Sequence, residues 1–182
     1  MPSAFQLREA AHALKHGEII AYPSEAVYGL GCRPDQFSAV AKLLELKSRD
    51  IRKGLILVAS DWKQLNAYIQ PLSRSEQQHI EQHSDTTWLV DKHPQCPFWI
   101  SGAHNKVAIR LSQHPIIKTL CTLSQSAMTS TSANPSSAPS ATTYRQVKRY
   151  FPHDLGYTIN GALGDLDQAT RICDLKSGEF FR

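Results

Sequence analysis

Four short segments gather the hydroxyl, carboxylate and cationic side chains that could act on a small anionic molecule. The first, Tyr22-Pro23-Ser24-Glu25-Ala26-Val27-Tyr28-Gly29-Leu30-Gly31, sets a hydroxyl, a carboxylate and an aromatic ring beside two glycines. Read alone, it is equally a plain turn. The second, Lys47-Ser48-Arg49, is followed closely by Arg52 and Lys53. Cations two residues apart on a helix point in different directions, so these converge on a polyphosphate only if the chain leaves helical geometry there. Otherwise they form a solvated charge run. The third is Arg110, a guanidinium inside the apolar stretch Val107-Ala108-Ile109-Arg110-Leu111. Burying it unpaired is costly, so it must meet either a carboxylate or an anionic ligand. The fourth, residues 129–140, is a Ser/Thr/Asn/Pro-rich run whose composition alone reads as a flexible linker. Its emergence from an apolar stretch points the other way, because small hydroxyl side chains at a strand end can bind phosphate or a small polar substrate.

Several familiar chemistries are absent from the pattern. There is no Gly-x-x-x-x-Gly-Lys-Ser/Thr, and the single Gly-x-Gly, at Gly29 and Gly31, runs into Cys32-Arg33-Pro34 rather than a helix-opening glycine. No Gly-x-Ser-x-Gly elbow occurs. The four cysteines, Cys32, Cys96, Cys121 and Cys173, are widely separated and read as reduced thiols. His12 and His16 lack the intervening carboxylate of a zinc-protease helix, so no dedicated protein metal site is expected. A net charge of +4 is compatible with phosphate-bearing ligands or RNA and proves neither. The longest apolar runs are strand-sized and the first residues lack a leader-like pattern, so neither membrane insertion nor secretion is expected and the cytoplasm is the expected location.

The elements that must position these side chains follow from periodicity. Helices are expected over 5–16, 37–46, 62–69, 73–83, 115–123 and 144–151, and strands over 18–22, 55–59, 86–90, 107–111, 127–131, 157–159 and 171–175. Residues 24–34 read as a loop. The continuous apolar run Leu55-Ile56-Leu57-Val58-Ala59 suits a strand covered on both faces. Alternating helices and strands predict an α/β fold with a twisted mixed parallel/antiparallel sheet flanked by helices, and a single domain over 1–182.

In this order, the four segments resemble the YrdC/TsaC (Sua-type) family, whose pattern is a Pro-Thr-Glu-x-x-Tyr/Phe-Gly-Leu/Val-Gly loop, a Lys-x-Arg, a Val-Ala-Val-Arg strand and a Ser-x-Asn. Leu44-Glu45-Leu46-Lys47, Lys53-Gly54-Leu55-Ile56-Leu57, His114-Pro115 and the end Ser177-Gly178-Glu179-Phe180-Phe181-Arg182 extend the match. The resemblance runs from about residue 5 onward and is to the short bacterial form.

That resemblance implies a YrdC-like fold with a basic concave cavity. It also implies synthesis of threonylcarbamoyl-AMP from ATP, L-threonine and bicarbonate, with Mg2+ accompanying ATP, for N6-threonylcarbamoyladenosine in tRNA. Downstream tRNA threonylcarbamoyl-transfer proteins would be partners. By carry-over, Lys47 and Arg49 act on the phosphates, while Ser24, Tyr28, Thr87, Arg110, Ser132, Asn134 and Thr170 contact ATP or substrate. Two segments depart from the family: its Trp-Pro-Gly-Pro-x-Thr appears here as Gln82-His83-Ser84-Asp85-Thr86-Thr87, and its Pro-Ser-x-Ile as Ala169-Thr170-Arg171-Ile172. The main alternative is an RNA- or ribosome-associated binding protein using the same cavity. A further alternative is a carbamoyl-transfer relative acting on another amine.

Overall fold

The computed structural model describes residues 2–136, 138–166, 168 and 170–181. Met1, Ser137, Asp167, Ala169 and Arg182 lie outside them, so the altered position 169 and the last residue of the matching end are not described further.

The elements run α1 (Ala4–Lys15), β1 (Ile20–Pro23), β2 (Tyr28–Gly31), α2 (Phe37–Leu46), β3 (Ile56–Ala59), α3 (Arg74–Gln82), β4 (Thr86–Asp91), α4 (Phe98–Ser101), β5 (Lys106–Leu111), α5 (Pro115–Ser124), β6 (Met128–Ser132), α6 (Tyr144–Tyr150), β7 (Tyr157–Thr158) and β8 (Arg171–Asp174). The strands form one sheet in the order β7-β1-β2-β6-β3-β5-β4-β8. The sheet combines parallel pairs β1/β7, β3/β5 and β4/β8 with antiparallel pairs β1/β2, β2/β6, β3/β6 and β4/β5, which gives the mixed α/β architecture expected.

Several helix starts have a local cause. Ser3 and Gln6 form a reciprocal capping box for α1, Ser73 and Glu76 another for α3, and Pro115 opens α5 where its missing N–H costs nothing. The alternation along β3 divides the core: Leu57 joins the cluster with Leu30, Val40, Leu43, Trp88 and Ile109, whereas Val58 joins Leu14, Ile20, Tyr22, Ile117 and Met128 beneath α1 and α5. The strand is therefore buried on both faces. Among the described residues no helix is long and apolar enough to cross a membrane.

Two expectations are corrected. Residues 28–31 are not loop but strand β2, registered Ile20↔Gly31 to Pro23↔Tyr28 against β1. The helix expected over 62–69 is a single 3-10 turn, Trp62–Gln64, capped by Asp61. Beyond it, Ile69 bridges Lys92 and the Gln70 N–H donates to the Asp91 carbonyl, which pulls the backbone off any helix axis. Leu65, Tyr68 and Ile69 still bury themselves there as turn residues. The short α4 and a 3-10 turn at Ile51–Lys53 add elements that the periodicity did not mark.

Candidate active site

One row of cross-strand neighbours lies along the sheet face that carries Val58. It runs Gly29↔Ser132, then Ser130↔Ile56, Ile56↔Ala108, Ala108↔Leu89 and Leu89↔Asp174, from β2 to β8. Six strands at about 4.8 Å spacing make this floor roughly 24 Å long. It forms the base of a cavity of about 780 Å3, walled by Ser24–Gly29 on one side, by Arg49, Lys53 and Gly54 on another, and by α4 residues and Phe181 elsewhere.

The glycines of the first segment act by packing rather than by cradling phosphate. A Cβ on Gly29 would stand 2.9 Å from the Tyr22 ring, and one on Gly31 would stand 2.3 Å from the Thr129 carbonyl oxygen. Only glycine lets β2 lie this close over Tyr22, whose hydroxyl donates to Ser130 Oγ at 3.0 Å. The Ser24 hydroxyl donates to the Val27 carbonyl at 2.7 Å and so closes the β1–β2 loop on itself. The Tyr28 hydroxyl donates to the Gly161 carbonyl at 2.9 Å.

Arg110 has found its carboxylate. Its Nη2 lies 2.9 Å from Glu25 Oε2, with side-chain exposures of only 9% and 15%. Ser112 Oγ donates to the other oxygen, Glu25 Oε1, at 2.6 Å. Arg110 also reaches Thr170 Oγ1 at 3.5 Å, and Thr170 shares a 2.8 Å hydrogen bond with the buried Thr87. A chain of polar contacts thus ties the β1–β2 loop to β5, β8 and β4.

Lys47 and Arg49 leave the end of α2 on the same side because Ser48 takes a left-handed backbone (φ 47) that breaks the helical path. Their tasks differ. The Lys47 ammonium donates to the Ser132 carbonyl at 2.8 Å, to Asn134 Oδ1 at 3.0 Å and to the Asn134 carbonyl. Ser132 Oγ donates to Asn134 Oδ1 at 2.6 Å, and Asn134 Nδ2 donates to the Ala138 carbonyl at 2.7 Å. Within the run at 129–140 that composition reads as linker, residues 129–132 belong to strand β6 and Ser132–Asn134 is a turn held by a lysine. Burial, reinforced by the neighbouring Arg49 charge, pushes the Lys47 pKa down to about 8. Arg49 donates through Nε and Nη2 to the Gly54 carbonyl at 3.1 and 2.8 Å, and burial lowers its pKa.

Of the residues singled out from sequence, Ser24, Tyr28, Arg49, Arg110, Ser132 and Thr170 lie in the cavity wall, whereas Lys47 and Asn134 sit behind it and Thr87 lies buried beneath Thr170. The expected basic character is partly cancelled. The wall carries Arg49, Lys53, Lys106 and Arg110, but Arg110 is paired with Glu25 and Lys106 with Asp174. Arg49 and Lys53 supply the positive excess. In the sequence Glu25 and Lys53 appeared only within candidate segments, without a role of their own, and Asp174 was not singled out. A lone carboxylate in the first segment facing a lone strand arginine was the available signal for Glu25.

The family model Sua5_yciO_yrdC, described as "Telomere recombination", matches residues 12–182. The threonylcarbamoyl-AMP synthase of Halorhodospira halophila is 40% identical over 180 residues, covering 98% of this chain and 94% of that protein. Among solved structures, P. abyssi Sua5 complexed with L-threonine superimposes with a TM-score of 0.88 at 26% identity, over 98% of this chain. The present chain spans about half (53%) of that archaeal chain's length. E. coli YciO shares the fold with a TM-score of 0.81 at 19% identity, over 96% of this chain and 85% of its own.

Proposed function

The chain belongs to the Sua5/YciO/YrdC family, and from that premise we propose that it is an L-threonylcarbamoyladenylate synthase. In this reading it is an enzyme of the nucleotidyltransferase type, acting in the cytoplasm. Threonine's amine is carboxylated from bicarbonate, and the resulting carbamate oxygen attacks the α-phosphorus of ATP and expels pyrophosphate. The product then passes to tRNA threonylcarbamoyl-transfer proteins for modification of adenosine 37.

The observation that carries this reading is a cavity whose wall holds two kinds of charge, the cations Arg49 and Lys53, which have no ion pair among the described residues, and the largely buried Glu25–Arg110 pair. Pyrophosphate needs fixed positive charge as it departs, in a site partly withdrawn from water. We assign that role to Arg49 and Lys53, with Mg2+ arriving on ATP. Lys47 orders the Ser132–Asn134 turn, so that Ser132 meets the nucleotide or the acyl phosphate in a fixed orientation. Ser24 and Tyr28 shape the β1–β2 loop that carries Glu25, and Thr87 supports Thr170 and Arg110 from below. Relatives bearing a synthase name do not favour the alternative of an RNA-binding cavity.

The test is incubation with ATP, Mg2+, L-threonine and bicarbonate. Pyrophosphate release that depends on both threonine and bicarbonate, with an acid-labile adenylate in the quenched mixture, is the expected result. ATP turnover indifferent to threonine would remove the assignment.

A further inference from the structure

The carboxylation has a proton balance that the cavity must meet. Threonine enters as an ammonium, and RNH3+ + HCO3− gives RNHCOO− + H2O + H+. A bond forms between nitrogen and carbon and a carbon–oxygen bond breaks; two protons leave the nitrogen, one taken up by the departing hydroxide as water and one, net, that must leave the site. A closed site that releases a proton beside a forming anion needs an acceptor and a route out.

Five buried side-chain polar atoms among the described residues lack a hydrogen-bond partner, and three of them, Glu25 Oε2, Arg110 Nε and His114 Nδ1, belong to one cluster. Glu25 Oε2 is held by Arg110 as an ion pair at 2.9 Å, without the alignment of a hydrogen bond. Ser112 joins Glu25 to the His114 backbone, and the His114 imidazole lies close enough to feel the charges of both Glu25 and Arg110. The His114 backbone N–H donates to Ser112 Oγ at 3.1 Å, and Ser112 Oγ donates to Glu25 Oε1 at 2.6 Å. Gly164 wedges between them: a Cβ there would stand 3.0 Å from Glu25 Cα and 3.4 Å from His114 Cδ2. Glu25 lines the cavity, whereas His114 stands behind it and keeps part of its surface exposed.

We propose that Glu25 receives the proton shed by the substrate amine and that His114, reached through the polar cluster with Ser112 and Arg110, passes it to solvent. The proposal rests on the synthase reading above. Of the three atoms without a hydrogen bond, Arg110 Nε is a donor, whereas Glu25 Oε2 and, in the Nε2–H tautomer, His114 Nδ1 are acceptors, a set that a bridging water would complete. Glu25 lines the cavity with its Oε2 beside Arg110 Nη2, placed to take a proton from the substrate and to hand it on along the cluster. Burial, against the pull of Glu25 and aided by Arg110, lowers the His114 pKa, so the ring is neutral and able to accept at neutral pH. Glu25 and Arg110 are the charged groups that act on this imidazole.

The test compares wild type, His114→Gln and His114→Ala in threonine-dependent pyrophosphate release between about pH 5.5 and 9. The relay predicts an acid limb in kcat/KM for threonine that His114→Gln abolishes, a rate loss of at least about tenfold near neutrality, and recovery of the His114→Ala rate by free imidazole. An active wild type together with a folded His114→Gln of unchanged rate and acid limb overturns the relay alone. So does an imidazole-indifferent His114→Ala beside a fully active His114→Gln, because that marks a packing role. Should His114→Gln not fold, Ser112→Ala decides: a several-fold loss that grows toward low pH supports the relay, and an unchanged profile overturns it. Wild type without threonine-dependent release removes the synthase reading, and the relay with it.

Discussion

Breaking the Glu25–Arg110 pair should cost far more than its single 2.9 Å contact suggests. Both side chains are buried, at 9% and 15% exposure, and each leaves an uncompensated charge when its partner is removed. Truncation of one member of such a pair costs about 3–5 kcal/mol, because the desolvation already incurred is no longer offset. Arg110→Met leaves the Glu25 carboxylate with only the Ser112 hydroxyl, and Glu25→Leu leaves the guanidinium with only the long 3.5 Å contact to Thr170. Each single variant should therefore lose about 3–5 kcal/mol, or roughly 6–20 °C in Tm for a chain of this size. The double variant Glu25→Leu/Arg110→Met removes both charges and should lose much less than the sum, with a coupling of about 3 kcal/mol. Urea unfolding of the four proteins at pH 7, with m-values checked for constancy, measures the cycle. Additivity within about 0.5 kcal/mol would show that the two charges do not depend on each other, and would refute the picture of the pair as the clasp of the β1–β2 loop.

Arg49→Ala should lower pyrophosphate release by about two orders of magnitude with little change in melting temperature, since it removes a transition-state contact from a cavity wall; near-normal turnover sinks the phosphate assignment. Lys47→Ala should match that loss and also speed amide exchange at 132–134, because two backbone carbonyls and Asn134 Oδ1 lose their shared donor. Unaltered exchange there contradicts its role in the turn. Because the folded Lys47 pKa of about 8 lies below the ordinary 10.5, its buried charge destabilises the fold below pH 8, and stability attributable to this group rises as pH climbs from 8 to 10.5. Over the same range kcat/KM for ATP should fall as the ammonium is lost, and a kcat/KM profile flat to pH 10 rules this out. Gly31→Ala should be severely destabilised by a Cβ 2.3 Å from the Thr129 carbonyl oxygen, while Gly178→Ala, strained in φ but meeting nothing within 4 Å, should lose only about 1 kcal/mol; similar melting of the two refutes the close-packing account.

Much of this arrangement was legible in the sequence because it is local. The apolar runs at 55–59 and 107–111 give β3 and β5 directly, and helical spacing marks α1, α2, α5 and α6. The β2 strand was not legible, because Tyr28-Gly29-Leu30-Gly31 has the composition of a turn and becomes a strand only through what lies above it, the Tyr22 ring and the Thr129 carbonyl. The 62–69 segment failed in the opposite sense: its helical spacing is real, but long-range bonds to Asp91 and Lys92 override it. The site divides the same way. Residue types named the wall, yet the separate tasks of Lys47 and Arg49 depend on one left-handed residue, Ser48, and on a turn more than eighty residues further along the chain.

The pairing of charges, more than their number, decides what each part of the cavity can hold. A cation already neutralised by a buried carboxylate adds little attraction for a polyphosphate, so Arg110 and Lys106 do not compete with Arg49 and Lys53 for that ligand. The same pairing fixes the Glu25 carboxylate in the cavity wall, where it can meet a substrate ammonium as an oriented hydrogen-bond acceptor rather than as a net charge. The cavity floor at Ile56 and Ala108 is uncharged, and a forming bond between carbamate oxygen and phosphorus would be sheltered from water there. Reversing a single charge, Glu25→Lys or Arg49→Glu, should therefore weaken one substrate selectively: threonine in the first case, ATP in the second. Calorimetric titration of each ligand separately reads this out, and a parallel loss of both affinities in either variant would mean that the two groups are not electrostatically distinct.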